Sequence, residues 1–543
     1  MPVPMNPEPM NTAGLLAHAI DQTGVSSIFG YPGDPTIELM EQSRRRDIDV
    51  VLARREGTAA LMAEGYAMAT GNVAVAFSTL GPGSSALLSG VASAQLDRVP
   101  MLAISGQIDS AQEQYFTHQV IDHGLLFSPV SKWAGRLEAR SAGIMLRKAL
   151  RLATAERPGA VHLTANADTL TKEVDAGEFS LPPLGAPSAT IDVYRSAGGT
   201  DPVAVIARSR RPIILAGIAA VRGRATEALV GFAESLGAPV IVGPMAKGVF
   251  PEDHELFGGV MDVACTKVVR EFVDSGDLVI AVGFDAVELV KPWSSKLPVL
   301  HIDSTPNLDQ IYASDCEVVG AIATILTWLT AEHSGAPGWS GGEVPAYRAR
   351  LRDAFYAGSV SGALNPTDVV DIVRGSVPED AIVTTDVGSH KFLVAQGWRT
   401  TVQRAFLCTN GLSAMGFGVP SSIAAAIAMP GRQVVAMVGD GGFAMAATEL
   451  RLASRLKLPI VVVVFADGSL NRIELKQMAL GYPSTGTRIE DMDLVDLASG
   501  LACDGVRVAS PSELTKALSD IEGLTRPLIV EARIDPSQYL SQF

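Results

Sequence analysis

Short apolar runs alternate along almost the whole chain with longer segments whose hydrophobic positions recur at helical spacing. Buried parallel strands joined by crossover helices produce this rhythm, because such strands have no polar face and each return path needs a helix. The chain therefore reads as α/β. A first block, residues 11–178, holds strand-like SSIFGYPG, VAVAFSTLGPG, MLAISG and GAVHLTAN, with TAALMAEGYAMATG among its helices. A second, residues 191–330, opens near RRPIILAG and holds APVIVGP, DLVIAVGF and LPVLHID. A third, residues 360–535, holds DAIVTTDVG, RQVVAMVGDGG and LPIVVVVFADGS. Between the blocks lie two linker-like passages, the proline-rich FSLPPLGAPSAT (Phe179 to Thr190) and the glycine-rich AEHSGAPGWSGGEVPAYR (Ala331 to Arg348). Three doubly wound parallel-sheet domains are expected. The first and third share a strand-then-glycine style that points to a common ancestor.

At 543 residues, 47% of them hydrophobic, the chain has material for several cores. A formal net charge of −15 leaves no broad basic surface to neutralise a polymer's phosphates, which argues against a nucleic-acid partner. Small anions can still be held by backbone amides. The opening MPVPMNPEPMN lacks a basic stretch and an apolar one, and no apolar run approaches the roughly eighteen residues of a membrane span. A soluble, cytoplasmic protein with no membrane partner is expected. Cys265, Cys316, Cys408 and Cys503 lie far apart without CxxC or CxxxC spacing, so they read as core residues.

The chemistry concentrates where strands end. Asp440 follows RQVVAMVG, a strand by its β-branched content, and precedes FAMAATELRLASRL, a helix by its periodicity. The glycines beside it permit a tight turn, and the N–H groups of Gly441, Gly442 and Phe443 would face outward at a helix N-terminus, where a phosphate binds well. An acid beside a phosphate needs a cation. The next strand, LPIVVVVFA, ends in Asp467, and adjacent parallel strands place their carboxyl ends side by side. Either acid alone reads as an ordinary turn residue. Together they suit Mg²⁺, which prefers carboxylate, carbonyl and phosphate oxygens.

The segment GDGGFAMAATELRLASRLKLPIVVVVFADGSLN resembles the thiamine-diphosphate fingerprint, in which Gly-Asp-Gly is followed further on by two asparagines; Ala466 and Asp467 stand at that pair. Through FGYPGDP, EGTAALMAEGYAMATG, TLGPGSSAL, LDRVPMLAISGQ, KGVFPEDHE, TTDVGSHKF and NGLSAMGFGVP, nearly the whole chain is similar to the acetohydroxyacid (acetolactate) synthase branch of that family. The resemblance implies pyrimidine-binding, central Rossmann-like and diphosphate-binding domains in that order. It assigns Mg²⁺ to Asp440, Asp467 and the Ser469 carbonyl, and the diphosphate to the surroundings of Gly439, Gly441, Gly442, Phe443, Leu470 and Asn471. Gly388, Ser389 and His390 match a second diphosphate-contacting turn, and Gly30, Pro32 and Gly33 a backbone turn near the pyrimidine. Glu56 matches the glutamate that protonates the pyrimidine so that the ring's own amine can remove the thiazolium proton. A carboxyl sharing a proton in this way needs an apolar surrounding, which neighbouring Ala and Leu can supply. Met415 matches the bulky residue that bends the cofactor; taken alone, it would read as packing filler.

The same resemblance implies decarboxylation of a 2-oxo acid, pyruvate by default, followed by carboligation to an acceptor, in a homodimer or homotetramer whose sites lie between chains. Gln119 matches a glutamine near the substrate, flanked here by His118 and Val120. Simple decarboxylases of the family tend to carry His-His at that place and a carboxylate where this chain has Ile473, which favours carbon–carbon bond formation over protonation. Where the synthases carry a tryptophan that sets acceptor choice, this chain has Lys476, and Arg472 replaces an apolar residue beside it. FGGVMDVAC lacks the Gly-Met-His-Gly of the synthases' FAD site, and VGFDAVELVKPW is similar to flavin-free branches. Three alternatives stay open: a non-oxidative 2-oxo acid decarboxylase, another lyase or carboligase such as a carboxyethylarginine synthase-like enzyme, and a catalytically silent thiamine-diphosphate binder.

Overall fold

The structure is a computed structural model that describes residues 10–174, 179–185, 190–195, 201–333 and 338–543. The opening nine residues, with the targeting reading made there, and residues 186–189 and 334–337 of the two linker-like passages lie outside the described residues. The chain divides into two compact units, residues 1–186 with 423–430, and residues 187–422 with 431–543.

The first unit is built on β1 (Ser27–Gly30), β2 (Asp49–Leu52), β3 (Ala74–Ser78), β4 (Met101–Gln107), β5 (Trp133–Arg136) and β6 (Ala160–Asn166). They form one sheet in the order β2-β1-β3-β4-β6-β5, and every pairing is parallel. Strands β3, β4 and β6 are buried at every position, including the polar His162, Thr164 and Asn166 of β6, as a parallel sheet covered on both faces requires. The Glu56–Thr70 helix crosses between β2 and β3 and stops at Gly71, whose φ of 79° is the left-handed cap that glycine adopts without a Cβ penalty.

The second unit holds two sheets. One contains β7 (Asp192–Arg195), β8 (Pro212–Ala216), β9 (Val240–Val242), β10 (Phe257–Val260), β11 (Leu278–Val282), β12 (Val299–Asp303) and β13 (Cys316–Val319), in the order β10-β9-β8-β11-β12-β13-β7. Only the edge strand β7 runs antiparallel. Ile213 and Leu215 of β8 enter one apolar cluster and Ile214 and Ala216 another, so both faces of the sheet are covered. The other sheet contains β14 (Ile382–Thr385), β15 (Phe406–Leu407), β16 (Val434–Gly439), β17 (Ile460–Ala466), β18 (Asp504–Val508) and β19 (Leu528–Arg533). Its order, β15-β14-β16-β17-β19-β18, repeats strand for strand that of the first unit, again all parallel. Val461 to Val464 of β17 are fully buried, each contributing roughly 1.5–3 kcal/mol by leaving water.

The segment expected as one helix after Asp440 is broken. It runs as a helix over Asp440–Ala446, a 3₁₀ turn over Ala447–Glu449 and a second helix over Leu450–Arg455. Ala446 leaves the helical region (φ −129°, ψ 1°), and the buried Ala446, Ala447 and Glu449 show tertiary packing overriding a good local propensity. All four cysteines are buried, in line with their reading as core residues. Among the described residues, no helix is long and apolar enough to cross a membrane.

Candidate functional site

In a doubly wound sheet the chain diverges at one point, and the turns leaving the strands there leave a crevice at their carboxyl ends. In the first unit the sheet diverges between β1 and β3, and the sequence-selected residues collect there. A methyl group on Gly30 would lie 2.4 Å from Phe77, and one on Gly33 would lie 2.1 Å from Thr79 Oγ1, so the two turns touch where only glycine fits. Pro32 and Gly33 line an open hollow with Asp34, Ile37 and Met40. Gly81 has φ +51°, and a methyl group on it would sit 2.5 Å from the carbonyl of Gln119. One on Gly83 would sit 2.9 Å from Glu56 Oε1. The Thr79–Gly83 turn thus touches Glu56 on one side and Gln119 on the other. Glu56 is half-buried in the first turn of its helix, where the dipole favours an acid.

A buried polar network behind that turn was not singled out from the sequence. Ser84 Oγ donates to the Thr79 carbonyl at 2.9 Å and accepts from His123 Nε2 at 2.9 Å. The Ser84 proton is thereby committed, so His123 carries its proton on Nε2, leaving Nδ1 to accept from Thr164 Oγ1 at 3.4 Å. Burial lowers the His123 imidazole to about 4, which keeps it neutral. His123 stands four residues beyond Gln119, and that proximity was the available signal.

In the diphosphate-type sheet the divergence falls between β14 and β16, with β17 adjacent. Asp440 Oδ2 accepts the N–H groups of Asp467 at 3.1 Å and Gly468 at 2.7 Å, tying the β16 turn to the β17 turn. Its Oδ1 accepts the Gly441 N–H at 2.8 Å, so one of the amides expected to face a phosphate is bonded to the neighbouring acid. Asp467 Oδ1 accepts from Ser469 N–H at 2.9 Å and Oγ at 3.1 Å. Burial raises the Asp467 carboxyl to about 7, and the Asp440 charge pushes the same way; burial raises Asp440 as well. Two half-buried acids, the charge of one opposing ionisation of the other, are an electrostatic setting in which a divalent cation binds well. Among the described residues no group of three or more His, Cys, Asp or Glu side chains gathers as a metal site, so a cation here would draw further oxygens from carbonyls and a ligand.

The turn after β14 completes the cluster. His390 Nε2 accepts the Gly439 N–H at 3.1 Å, and burial, reinforced by the Lys391 charge, lowers the ring to about 3, so it is a neutral acceptor. It is buried, not a surface histidine. Gly388 has φ +154°, and a methyl group on it would meet the His390 ring at 2.8 Å. Ser389 Oγ donates to Asn471 Oδ1 at 2.7 Å, joining this turn to the one after β17. Leu470 Cδ2 and Met415 Cε converge over Gly441, 3.0 and 3.5 Å from where its Cβ would be. Phe443 is fully buried beneath. Asp386, which follows the β14 strand in TTDVG, lies at the centre of this cluster. It is fully buried, accepts from the N–H groups of Val387 at 2.7 Å and Gly416 at 3.0 Å, and lies under Gly442. Burial raises it to about 6 against those bonds.

All selected residues of the second unit therefore meet at one sheet edge, and those of the first unit at theirs. Ile473, weighed for ligation against protonation, and Lys476, weighed for acceptor choice, are exposed, whereas the Arg472 guanidinium lies over the rings of Phe392 and Phe543, 5.3 and 4.6 Å from their centres.

Comparison with known proteins agrees with this layout. The N-terminal thiamine pyrophosphate binding domain model matches residues 10–126, the central domain model residues 201–329 and the C-terminal thiamine pyrophosphate binding domain model residues 386–532. The three matched domains are those of a thiamine-diphosphate-dependent enzyme. A probable acetolactate synthase large subunit of Methanocaldococcus jannaschii is 30% identical across 98% of this chain and 93% of its own length. The acetolactate synthase of Bacillus subtilis is 26% identical across 97% and 94%, and the acetolactate synthase isozyme 3 large subunit of Escherichia coli 27% across 98% and 96%. The chain belongs to the acetolactate synthase-like family of thiamine-diphosphate-dependent enzymes.

Proposed function

We propose that the protein is a Mg²⁺-dependent carboligase that decarboxylates a 2-oxo acid, pyruvate by default, and transfers the two-carbon unit to an acceptor, as its acetolactate synthase relatives are named for doing. The observation that carries the Mg²⁺ reading is the adjoining pair of half-buried acids, Asp440 and Asp467, tied by the Asp467 N–H to Asp440 Oδ2 beside glycines whose Cβ positions are closed by neighbours. In this reading Asp440, Asp467 and the Ser469 carbonyl hold Mg²⁺. Gly439, Gly441, Gly442, Phe443, Leu470, Asn471, Gly388, Ser389 and His390 hold the diphosphate. Thiamine diphosphate, when bound, supplies the electron sink for carbon–carbon cleavage.

The chain's residues then bind, orient and move protons. Neutral His390 fixes the Gly439 turn by accepting its N–H. Met415, its Cε 3.5 Å from where a Cβ on Gly441 would be, would wall the cofactor site and set the shape in which the cofactor binds. Gly30, Pro32 and Gly33 would accommodate the pyrimidine end, and Glu56, its Oε1 held against Gly83, would share a proton with it. Gln119, on the other side of that turn, faces the substrate. The absence of an acid at Ile473 supports ligation over protonation. The working form is a homodimer or homotetramer in the cytoplasm, with the pyrimidine half of each site from one chain and the diphosphate half from its partner.

The deciding experiment is NMR of the products formed from ¹³C-labelled pyruvate by protein loaded with Mg²⁺ and thiamine diphosphate, with Glu56→Gln as control. Acetolactate that disappears in the variant is expected. Acetaldehyde alone would replace the ligase reading with a decarboxylase, and untouched pyruvate would remove it as donor.

A further inference from the structure

The central sheet also diverges, between β8 and β11, and its carboxyl-end crevice is the place where sheets of this topology take nucleotides. The crevice is filled from within. Glu288, on the 3₁₀ turn after β11, is fully buried; its Oε1 accepts the Ile218 N–H at 2.6 Å and its Oε2 the Met245 N–H at 3.2 Å. Those two amides head the turns leaving β8 and β9. The remaining space is closed as tightly. A methyl group on Gly243 would lie 2.0 Å from Glu288 Oε2, and one on Gly217 would lie 2.4 Å from the Gly283 carbonyl. The Ala219 N–H is bonded to that same carbonyl at 3.1 Å.

The Glu288 turn has a second attachment. Asp285 caps it by accepting the Val287 N–H at 3.1 Å, and Asn410 Nδ2 donates to the Val287 carbonyl. Lys391 Nζ in turn donates to Asn410 Oδ1 at 2.9 Å and to the Thr409 carbonyl at 2.6 Å. Asn410 opens the loop that carries Met415, and the same loop is held at Gly416 by Asp386.

We infer that Glu288 takes the place of a nucleotide diphosphate in the central crevice, and that this internal carboxylate is a positioning residue: by clamping the turns after β8 and β9 it fixes the Val287 carbonyl, and through Asn410 it fixes the loop bearing Met415. The FAD that the synthases carry, and whose Gly-Met-His-Gly is missing here, does not fit, because the amides at the crevice are bonded within the chain and the approach is occupied. Burial raises the Glu288 carboxyl to about 8, while the two N–H bonds and the Arg222 charge favour its ionised form. The positioning half rests on the reading of Met415 as a wall of the cofactor site.

The test starts with the unaltered protein, loaded with thiamine diphosphate and Mg²⁺, titrated calorimetrically with FAD and separately with ADP. No binding of either at millimolar concentration is expected. Stoichiometric binding of either would overturn the proposal, since Glu288 would have to vacate the crevice. Next, thiamine diphosphate affinity is measured for Glu288→Gln, which turns one acceptor into a donor, for Asn410→Ala, and for the double variant. Each single change should weaken binding roughly tenfold, and the double variant should be no weaker than the weaker single. Losses that multiply, or an Asn410→Ala variant that binds as the parent does, would overturn the coupling. If Glu288→Gln fails to fold, the nucleotide titration and Asn410→Ala still decide. Failure of the parent to bind thiamine diphosphate would sink the proposed function, leaving the titrations to judge the crevice.

Discussion

Gly442→Ala isolates what the cradle after β16 requires of its backbone. Gly442 lies inside the Asp440–Ala446 helix, so on helix propensity alone alanine should stabilise by up to about 1 kcal/mol. Against this, the new Cβ would stand 2.6 Å from Asp386 Oδ2 and 2.7 Å from its Cγ, well inside van der Waals contact. Asp386 cannot swing away, because the N–H groups of Val387 and Gly416 hold its carboxylate. Breaking even one such charged bond costs about 1.5–3 kcal/mol, and overpacking of this kind typically costs about 1–3 kcal/mol. The steric term wins, for a net loss of about 1–3 kcal/mol placed on the turns proposed to hold the diphosphate. Each 1.4 kcal/mol is about tenfold in affinity, so thiamine diphosphate should bind roughly 10- to 100-fold more weakly. Isothermal titration calorimetry at saturating Mg²⁺ reads this directly. Affinity within threefold of the parent, with an equal or higher melting temperature, would refute the reasoning and show that the Asp386 pocket yields freely.

Three further changes probe other parts of the molecule. Asp467→Asn should raise the melting temperature of the cofactor-free protein by removing one of two adjoining half-buried acids, yet demand at least tenfold more Mg²⁺ for cofactor binding; a lowered melting temperature, or an unchanged Mg²⁺ requirement, would contradict the paired-acid reading. Glu64 is fully buried beside Asp97, and burial, with the Asp97 charge adding, raises its carboxyl well above the ordinary range. The folded state therefore keeps a proton that the unfolded chain releases above about 4.5, so folding stability must fall as pH climbs from there. Glu64→Gln should flatten that decline in urea titrations at pH 5, 7 and 9, and an unchanged slope would count against it. His123→Ala removes the donor to Ser84 and so loosens the turn touching both Glu56 and Gln119; turnover should drop roughly tenfold while diphosphate affinity, governed by the other unit, stays within twofold. Equal losses in both would show general destabilisation instead.

The parallel sheets were legible because their strands are apolar on both faces, as β3, β4 and β17 show at nearly every position. The acids Asp440 and Asp467 were legible for a related reason: each interrupts such a run at its carboxyl end. Asp386 ends a strand in the same way and was passed over. What distinguishes it is burial against Gly416 and Gly442, and that depends on contacts with residues far along the chain. The same holds for Glu288, whose partners Ile218 and Met245 lie on two earlier turns, and for the pairing of His123 with Ser84. The break at Ala446 escaped because alanine-rich sequence favours a helix everywhere, and only the shape of the pocket beneath decides where it stops.

The repeated strand order allows the molecule to be read as a comparison of siblings. Two sheets wound alike bring their first and third strands' turns together at one crevice, yet in one those turns carry Tyr31, Pro32 and Thr79 and in the other Asp440 and His390. What the siblings share, glycines at close turn-to-turn approaches, belongs to the geometry of winding. What they do not share, the ionisable groups, belongs to the trade each has taken up. A newcomer to such a chain can thus separate scaffold from chemistry without a second sequence, by laying one half over the other and keeping the differences.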